Sequence, residues 1–211
     1  AGQWPVQLRF ECNLTGEGYV TERAWRNASL SRCPLHPNGG CGFARHGTYE
    51  RLSPPGTLIA RWYCPQGHRT FSLLPDCLSA RLPGTLAEVE AVVRQAEHCS
   101  GLEAACDTLR LDIELPGALR WVRRRVADVH ASLHLLRALL PERFSHCEPS
   151  LAEFAQCLGV GQVLPALRDI AAAFLNQLPA PLGFRPRRAH GGAPPRLNQH
   201  PRGPDPPLVL A

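Results

Sequence analysis

The sequence predicts an α+β chain: a small β unit, then a mostly α-helical domain, then a disordered tail. Phe43 to Arg51 and Thr57 to Tyr63 read as strands, and Ser53-Pro54-Pro55-Gly56 between them is a turn signal. Cysteine-bearing turns flank that pair, Cys33 to Cys41 on one side and Cys64 to His68 on the other. From Leu86 onward, apolar residues recur three and four apart, which is the period of helices with one buried face. With 211 residues, 44% of them hydrophobic, the chain can bury one core and carry an appendage. The divisions expected are 1–32, packing on the β unit; 33–81, the β unit; 82–178, the helices; and 179–211, the tail.

Two short cysteine turns joined by strands are the plan of a small zinc ribbon. Zn2+ takes four thiolate or imidazole ligands tetrahedrally, and a closed set of four is structural rather than catalytic. Cys33, Cys41, Cys64 and His68 are the first-choice ligands. His36 competes with Cys41, because Cys33-Pro34-Leu35-His36 also has ligand spacing. Pro and Gly beside these residues suit tight metal turns. The plainer alternative is free core cysteines beside surface histidines.

This stretch resembles the zinc ribbons at the N-termini of insertion-sequence transposases and transposase-like proteins. There, a CPxCG knuckle precedes an HGxYxR strand, and a second CPxC knuckle runs into RTFSLLP. Cys41-Gly42, His46-Gly47-Thr48-Tyr49-Glu50-Arg51, Cys64-Pro65 and Arg69-Thr70-Phe71-Ser72-Leu73-Leu74-Pro75 match it. The sequence departs from it at an insertion, His36 to Gly40, and at Gly67-His68, which stands where a cysteine would sit. The resemblance implies a bacterial, mobile-element setting and recognition of DNA ends.

Taken in order, Val6 to Phe10 is a short strand candidate, followed by Gly16-Glu17-Gly18-Tyr19 and a polar stretch with Trp25. In the second hairpin strand Leu58, Ala60 and Trp62 alternate with Ile59, Arg61 and Tyr63, which predicts one packed face and one wet face. Thr85 and Glu88 have capping-box spacing at the start of a helix that Leu86, Val89, Val92, Val93 and Ala96 make amphipathic. His98 to Gly101 breaks it, and a short helix runs from Leu102 to Leu109. Leu111 to Gly117 reads as a loop. Ala118 to Leu140 reads as the longest helix, about 35 Å at 1.5 Å per residue. Its seam is Leu119, Val122, Val126, Val129, Leu133, Leu136 and Leu140. That seam packs within the chain or against a second copy as a homodimer. Ser150 and Glu153 repeat the capping spacing before Leu158, Gly159-Val160-Gly161 breaks that helix, and Val163 to Leu178 reads as one last helix. From Pro179 the Pro, Gly and Arg content predicts the tail, in which Arg185, Arg187, Arg188, Arg196 and Arg202 could attract phosphates.

The start of the long helix carries Arg120, Trp121, Arg123, Arg124 and Arg125, with no acid before Asp128. A helix, a short helix and then an Arg-rich helix give helix-turn-helix order over 85–140. In such units the N-terminal residues of the last helix meet base edges, and arginine forks suit guanine and phosphate. The text also resembles the recognition helix of transposase and recombinase N-terminal domains. With Arg45 and Arg69 in the β unit, these are the candidate contacts to double-stranded DNA. The plain alternative is a solvated basic face, although positive charge at a helix N-terminus opposes the macrodipole.

Net charge is +5, and all 23 basic residues are arginine, a balance that permits nucleic-acid binding without requiring it. Nine cysteines, an odd number, with no signal-peptide pattern at the start, predict a reducing, cytoplasmic setting rather than a disulfide framework. The absent initiator Met reads as a fragment or an alternative start. No apolar run is long enough for a membrane span. No nucleophile, base and orienting group assemble from local motifs, and phosphate-loop and dinucleotide fingerprints are missing, which disfavours an enzyme. The function expected is therefore a zinc-dependent DNA-binding protein without its own catalytic core. A zinc-ribbon adaptor working through the Leu119–Leu140 seam is the alternative.

Overall fold

The structure, a computed structural model, describes residues 7–109 and 115–186. It is α+β, with a four-stranded sheet and seven α-helices among the described residues. The strands are β1 (Gln7–Phe10), β2 (Ala44–Arg51), β3 (Thr57–Cys64) and β4 (Arg69–Pro75), in the spatial order β1-β4-β3-β2. β2, β3 and β4 form an antiparallel meander, and β1 joins its edge parallel to β4, pairing Leu8 with Leu73. β2 is the exposed edge, and its pairing with β3 slips between Arg45 and Thr48.

The sheet is covered on both faces where one wet face was expected. Ile59 and Leu74 point into the main helical core, while Ala60 and Leu73 pack with Ala28, Leu8 and Phe10. The cover on that second face is the N-terminal segment. It contains the helix α1 (Gly16–Thr21) and a 3-10 turn (Ala24–Arg26), which bury Tyr19, Ala24 and Trp25. Tyr19 Oη donates to the Leu58 carbonyl at 2.9 Å, and the Arg45 guanidinium donates to the carbonyls of Trp25 (2.6 Å) and Arg26 (2.9 Å). The N-terminal segment thus makes the sheet a middle layer.

The helices are α2 (Leu86–His98), α3 (Leu102–Leu109), α4 (Leu115–Leu139), α5 (Pro141–Phe144), α6 (Leu151–Leu158) and α7 (Val163–Ile170). The Thr85–Glu88 capping box opens α2 as expected: the Glu88 amide donates to Thr85 Oγ1 at 3.1 Å, and the Thr85 amide donates to Glu88 Oε2 at 2.6 Å. Such a cap contributes about 1 kcal/mol. α4 starts at Leu115, taking in Pro116 and Gly117, which a first helical turn tolerates because its amides have no partner in the helix. The rest of the expected loop, 111–114, lies outside the described residues, as do Val6 and the tail from 187 onward. Among the described residues no helix is long and apolar enough to cross a membrane.

The α4 seam is used within the chain. Val122 packs with Val92, Cys106 and Ala118, and Val129, Leu133 and Leu136 are fully buried in the main core. The middle of the seam is thus covered within the chain, and Leu119, Val126 and Leu140 are half-buried. The single helix expected over Val163–Leu178 instead ends at Ile170, and a 3-10 turn (Ala172–Phe174) follows. The chain then turns back on itself, with the Phe184 amide donating to the Leu175 carbonyl at 2.6 Å and the Arg185 amide donating to that of Leu178 at 2.9 Å. Leu182 and Phe184 are buried, so residues 179–186 belong to the core rather than to the tail.

Arg168 closes this core. It is fully buried and donates to the carbonyls of Pro75, Asp76, Leu78, Pro181 and Leu182. Burial lowers its pKa to about 10, and Asp76 opposes that shift, so it stays charged at neutral pH. Arg168→Met removes the donor from the carbonyls of Asp76, Leu78 and Leu182, while those of Pro75 and Pro181 keep the amides of Leu78 and Ala80. It should lower unfolding stability by about 3 kcal/mol, read as an earlier midpoint in urea, and an unmoved midpoint would show that the carbonyls are satisfied without it.

Candidate metal centre

Cys33 and His36 lie in one turn, closed by the His36 amide donating to the Cys33 carbonyl at 3.2 Å. Gly39 and Gly40 then take φ of +83° and +79°, which L side chains rarely adopt, and these two bends return the chain so that Cys41 faces Cys33. Cys64 is the last residue of β3, and the turn after it lays the Gly67 amide 3.2 Å from Cys64 Sγ. The Sγ atoms of Cys33, Cys41 and Cys64 and a ring nitrogen of His36 all fall within 4.8 Å of one another.

His36 Nδ1 is 3.6 Å from Cys33 Sγ and 3.3 Å from Cys64 Sγ. Bond lengths of about 2.3 Å to sulfur and about 2.0 Å to nitrogen give a tetrahedral ligand set edges of about 3.5 to 3.8 Å. The group is therefore close to the size that one metal ion requires. Its three cysteines are buried, and Phe71, Leu35, Phe43 and Trp62 wall it, with Phe43 stacked on Trp62 at 5.4 Å. Burial opposes ionisation of Cys33, but the hydrogen bond from His36 and the amides of Leu35 and His36 outweigh it and bring the thiol down to about 7. Burial and the neighbouring Cys33 push Cys41 the other way. Four donors in a closed, largely buried group suit a metal that holds the fold and leave no position for a substrate.

Sequence reasoning offered His36 and Cys41 as competitors, and the structure brings both into the group. The residue outside it is His68. Its backbone is left-handed (φ +46°), which turns the exposed ring away to lie 3.5 Å from Tyr63 Oη. Gly67 holds the place that a second knuckle cysteine would take. A Cβ built on it would lie 2.5 Å from Leu35 Cδ1, so the end of that side chain must shift, and 3.3 Å from Cys64 Sγ and 3.6 Å from His36 Cε1. The imidazole of His36 fills the space such a thiolate would use.

The candidate DNA contacts divide. Arg120, Arg123 and Arg124 are exposed along one side of α4, with Arg124 3.8 Å from Asp128. Arg125 is buried with its guanidinium 3.9 Å above the half-buried Trp121 ring, so it packs against the core instead of reaching outward. Arg69 is exposed, whereas the guanidinium of Arg45 is engaged by the N-terminal segment. Sequence reasoning missed a second group, His146, Cys147 and Cys157, whose donor atoms also fall within 4.8 Å of one another. Its only trace in the sequence is a His-Cys pair ten residues before another cysteine.

Comparison with protein-family models, curated proteins and solved structures finds no match to this chain. Its chemistry rests on the geometry.

Three variants test the ligand set by metal per chain. His36→Ala should lose most of the metal held at this group, and His68→Ala should keep it. Adding Gly67→Cys to His36→Ala should restore binding by placing a thiolate where the imidazole was. Full retention in His36→Ala would remove His36 from the set.

Proposed function

We propose that the chain is a zinc-dependent DNA-binding protein related to transposases. It grips duplex DNA through a zinc ribbon, residues 33–81, and the arginine-rich first half of α4, and it has no catalytic core of its own. The observation that carries this reading is the split of α4: its seam is buried while Arg120, Arg123 and Arg124 stand exposed together near the helix N-terminus. Because α4 begins at Leu115, these arginines stand in its second and third turns, beyond the reach of the helix dipole, and it is their clustering and exposure that suit phosphates. The order α2, α3, α4, with α4 packed on both, is compatible with a helix-turn-helix.

Zinc is the metal that three thiolates and one imidazole suit best. At the group beside β3 its role is to fix the two turns, because the strands around them leave little core of their own. The resemblance of the Cys33–Leu74 stretch to transposase ribbons points to the same pairing of metal and DNA. In the adaptor reading the Leu119–Leu140 seam would be the contact surface, but it is the part of α4 that the chain covers.

The test is binding to a mixed-sequence duplex across a salt series. The expected result is affinity that falls steeply with salt, and a weaker, flatter response for Arg120→Ala combined with Arg124→Ala. Each lost phosphate contact should reduce the log–log salt slope by about 0.9. An unchanged dissociation constant and slope in that variant would sink the assignment of α4. A uniform loss of affinity on stripping the metal would tie the ribbon to binding.

A further inference from the structure

In the second cysteine group His146 and Cys147 lie in the turn between α5 and α6, and Cys157 lies on α6 itself. The Cys147 amide donates to the Phe144 carbonyl at 3.1 Å, which closes the turn after α5. Phe144 stacks on Phe154 of α6 with ring centroids 4.9 Å apart, both fully buried. Cys157 sits on the last turn of α6, on the same side as Phe154 by its three-residue spacing. The buried aromatic pair therefore fixes the distance between the turn and the helix end.

Cys157 Sγ lies 3.7 Å from His146 Nε2, within the range of about 3.5 to 3.8 Å for a tetrahedral edge. Cys147 is buried, while His146 and Cys157 reach the surface. Two sulfurs and one imidazole are soft and borderline donors, which select zinc-class ions over magnesium or calcium. We propose that His146, Cys147 and Cys157 form a second metal site for a zinc-class divalent ion, open to solvent at its fourth position. Binding exchanges the two thiol protons for the ion and releases them to solvent. Two thiolates then balance its double charge, and a water completes the tetrahedron. The Arg143 carbonyl, which accepts from the Cys157 thiol at 3.8 Å, loses that donor when the thiolate forms. Three protein ligands at the surface hold an ion more loosely than four buried ones, so this site exchanges its ion faster than the Cys33 group.

The experiment is metal uptake by the full reduced, metal-stripped chain, titrated with Co2+ to read thiolate-to-cobalt absorption and then with Zn2+ against a chromophoric chelator. The expected result is two ions per wild-type chain in two affinity classes. Cys157→Ser and His146→Ala, both at surface positions, should each lose the weaker class and keep the stronger, with an unchanged circular-dichroism spectrum. Cys64→Ser should lose the stronger class. One ion per wild-type chain, lost in Cys64→Ser and kept in Cys157→Ser, overturns the second site and leaves the first standing. One ion lost only in Cys157→Ser does the reverse. A Cys147–Cys157 disulfide forming in air, with no second ion taken up by the reduced protein, also overturns the proposal.

Discussion

One buried guanidinium sets the relation between the sheet and the helices. Arg168 comes from α7, yet its acceptors lie at and just after the end of β4 (Pro75, Asp76, Leu78) and in the return segment (Pro181, Leu182). Asp76, Leu78 and Leu182 lie outside strands and helices, and buried carbonyls without partners are costly. A cation with five donors in a fixed fork answers several of them at once. Its own desolvation is offset by these dipoles and by Asp76, whose carboxylate is held by Arg9 of β1 at 2.7 Å. The first strand, the end of the last strand, the last helix and the return segment thus meet around two arginines and one acid.

A second set of long-range polar contacts orients the helices. Glu90 and Glu97 are seven residues apart on α2, hence on the same side of it. Buried Glu90 accepts the amides of Val163 (3.0 Å) and Leu164 (2.8 Å), the first two residues of α7. Glu97 accepts the amide of Leu151, the first residue of α6, at 3.1 Å and pairs with His130 of α4. Gln162, at the N-cap of α7, makes no side-chain cap of its own. α2 supplies the missing acceptor from across the core, and its carboxylates also favour the positive ends of those helices.

What could be read in the sequence follows from which forces are local. The α+β class, the hairpin around Ser53–Gly56, the Thr85 box, the Ser150 cap and the seam of α4 all rest on short-range chemistry, and each was legible. β4 was not read as a strand, because Phe71 to Leu74 is a continuous buried run rather than an alternating one, covered on both faces. α1 was missed, since its two glycines weaken helix propensity and packing under the sheet decides it. The burial of Leu182 and Phe184 goes with the contacts of Arg168 to the return segment, which no local pattern announces. At the metal group, three cysteines were legible from spacing. The choice of His36 over His68 was not, because it turns on the left-handed backbone at His68. Arg125 looked like its neighbours in the text, and only the helical phase that places it against Trp121 and the core separates it from them.

The distance along the chain between the Cys33 group and the partners of Arg168 has a consequence for biosynthesis. The ligand group is complete once Cys64 has left the ribosome, but the guanidinium cannot be satisfied until Leu182 follows. At about 5 to 20 residues per second that interval is on the order of ten seconds. Early in it Ile59, Leu74, Leu78 and Leu82 lack their cover; α2 and α4 bring Val89, Val93, Val129 and Leu133 to that core as they emerge, and α7 and the return segment complete it last. A nascent chain so placed exposes an apolar sheet face while its other face is already closed by residues 8–30. Chaperone engagement should therefore concentrate on this face, and in the interval before residues 168–184 arrive.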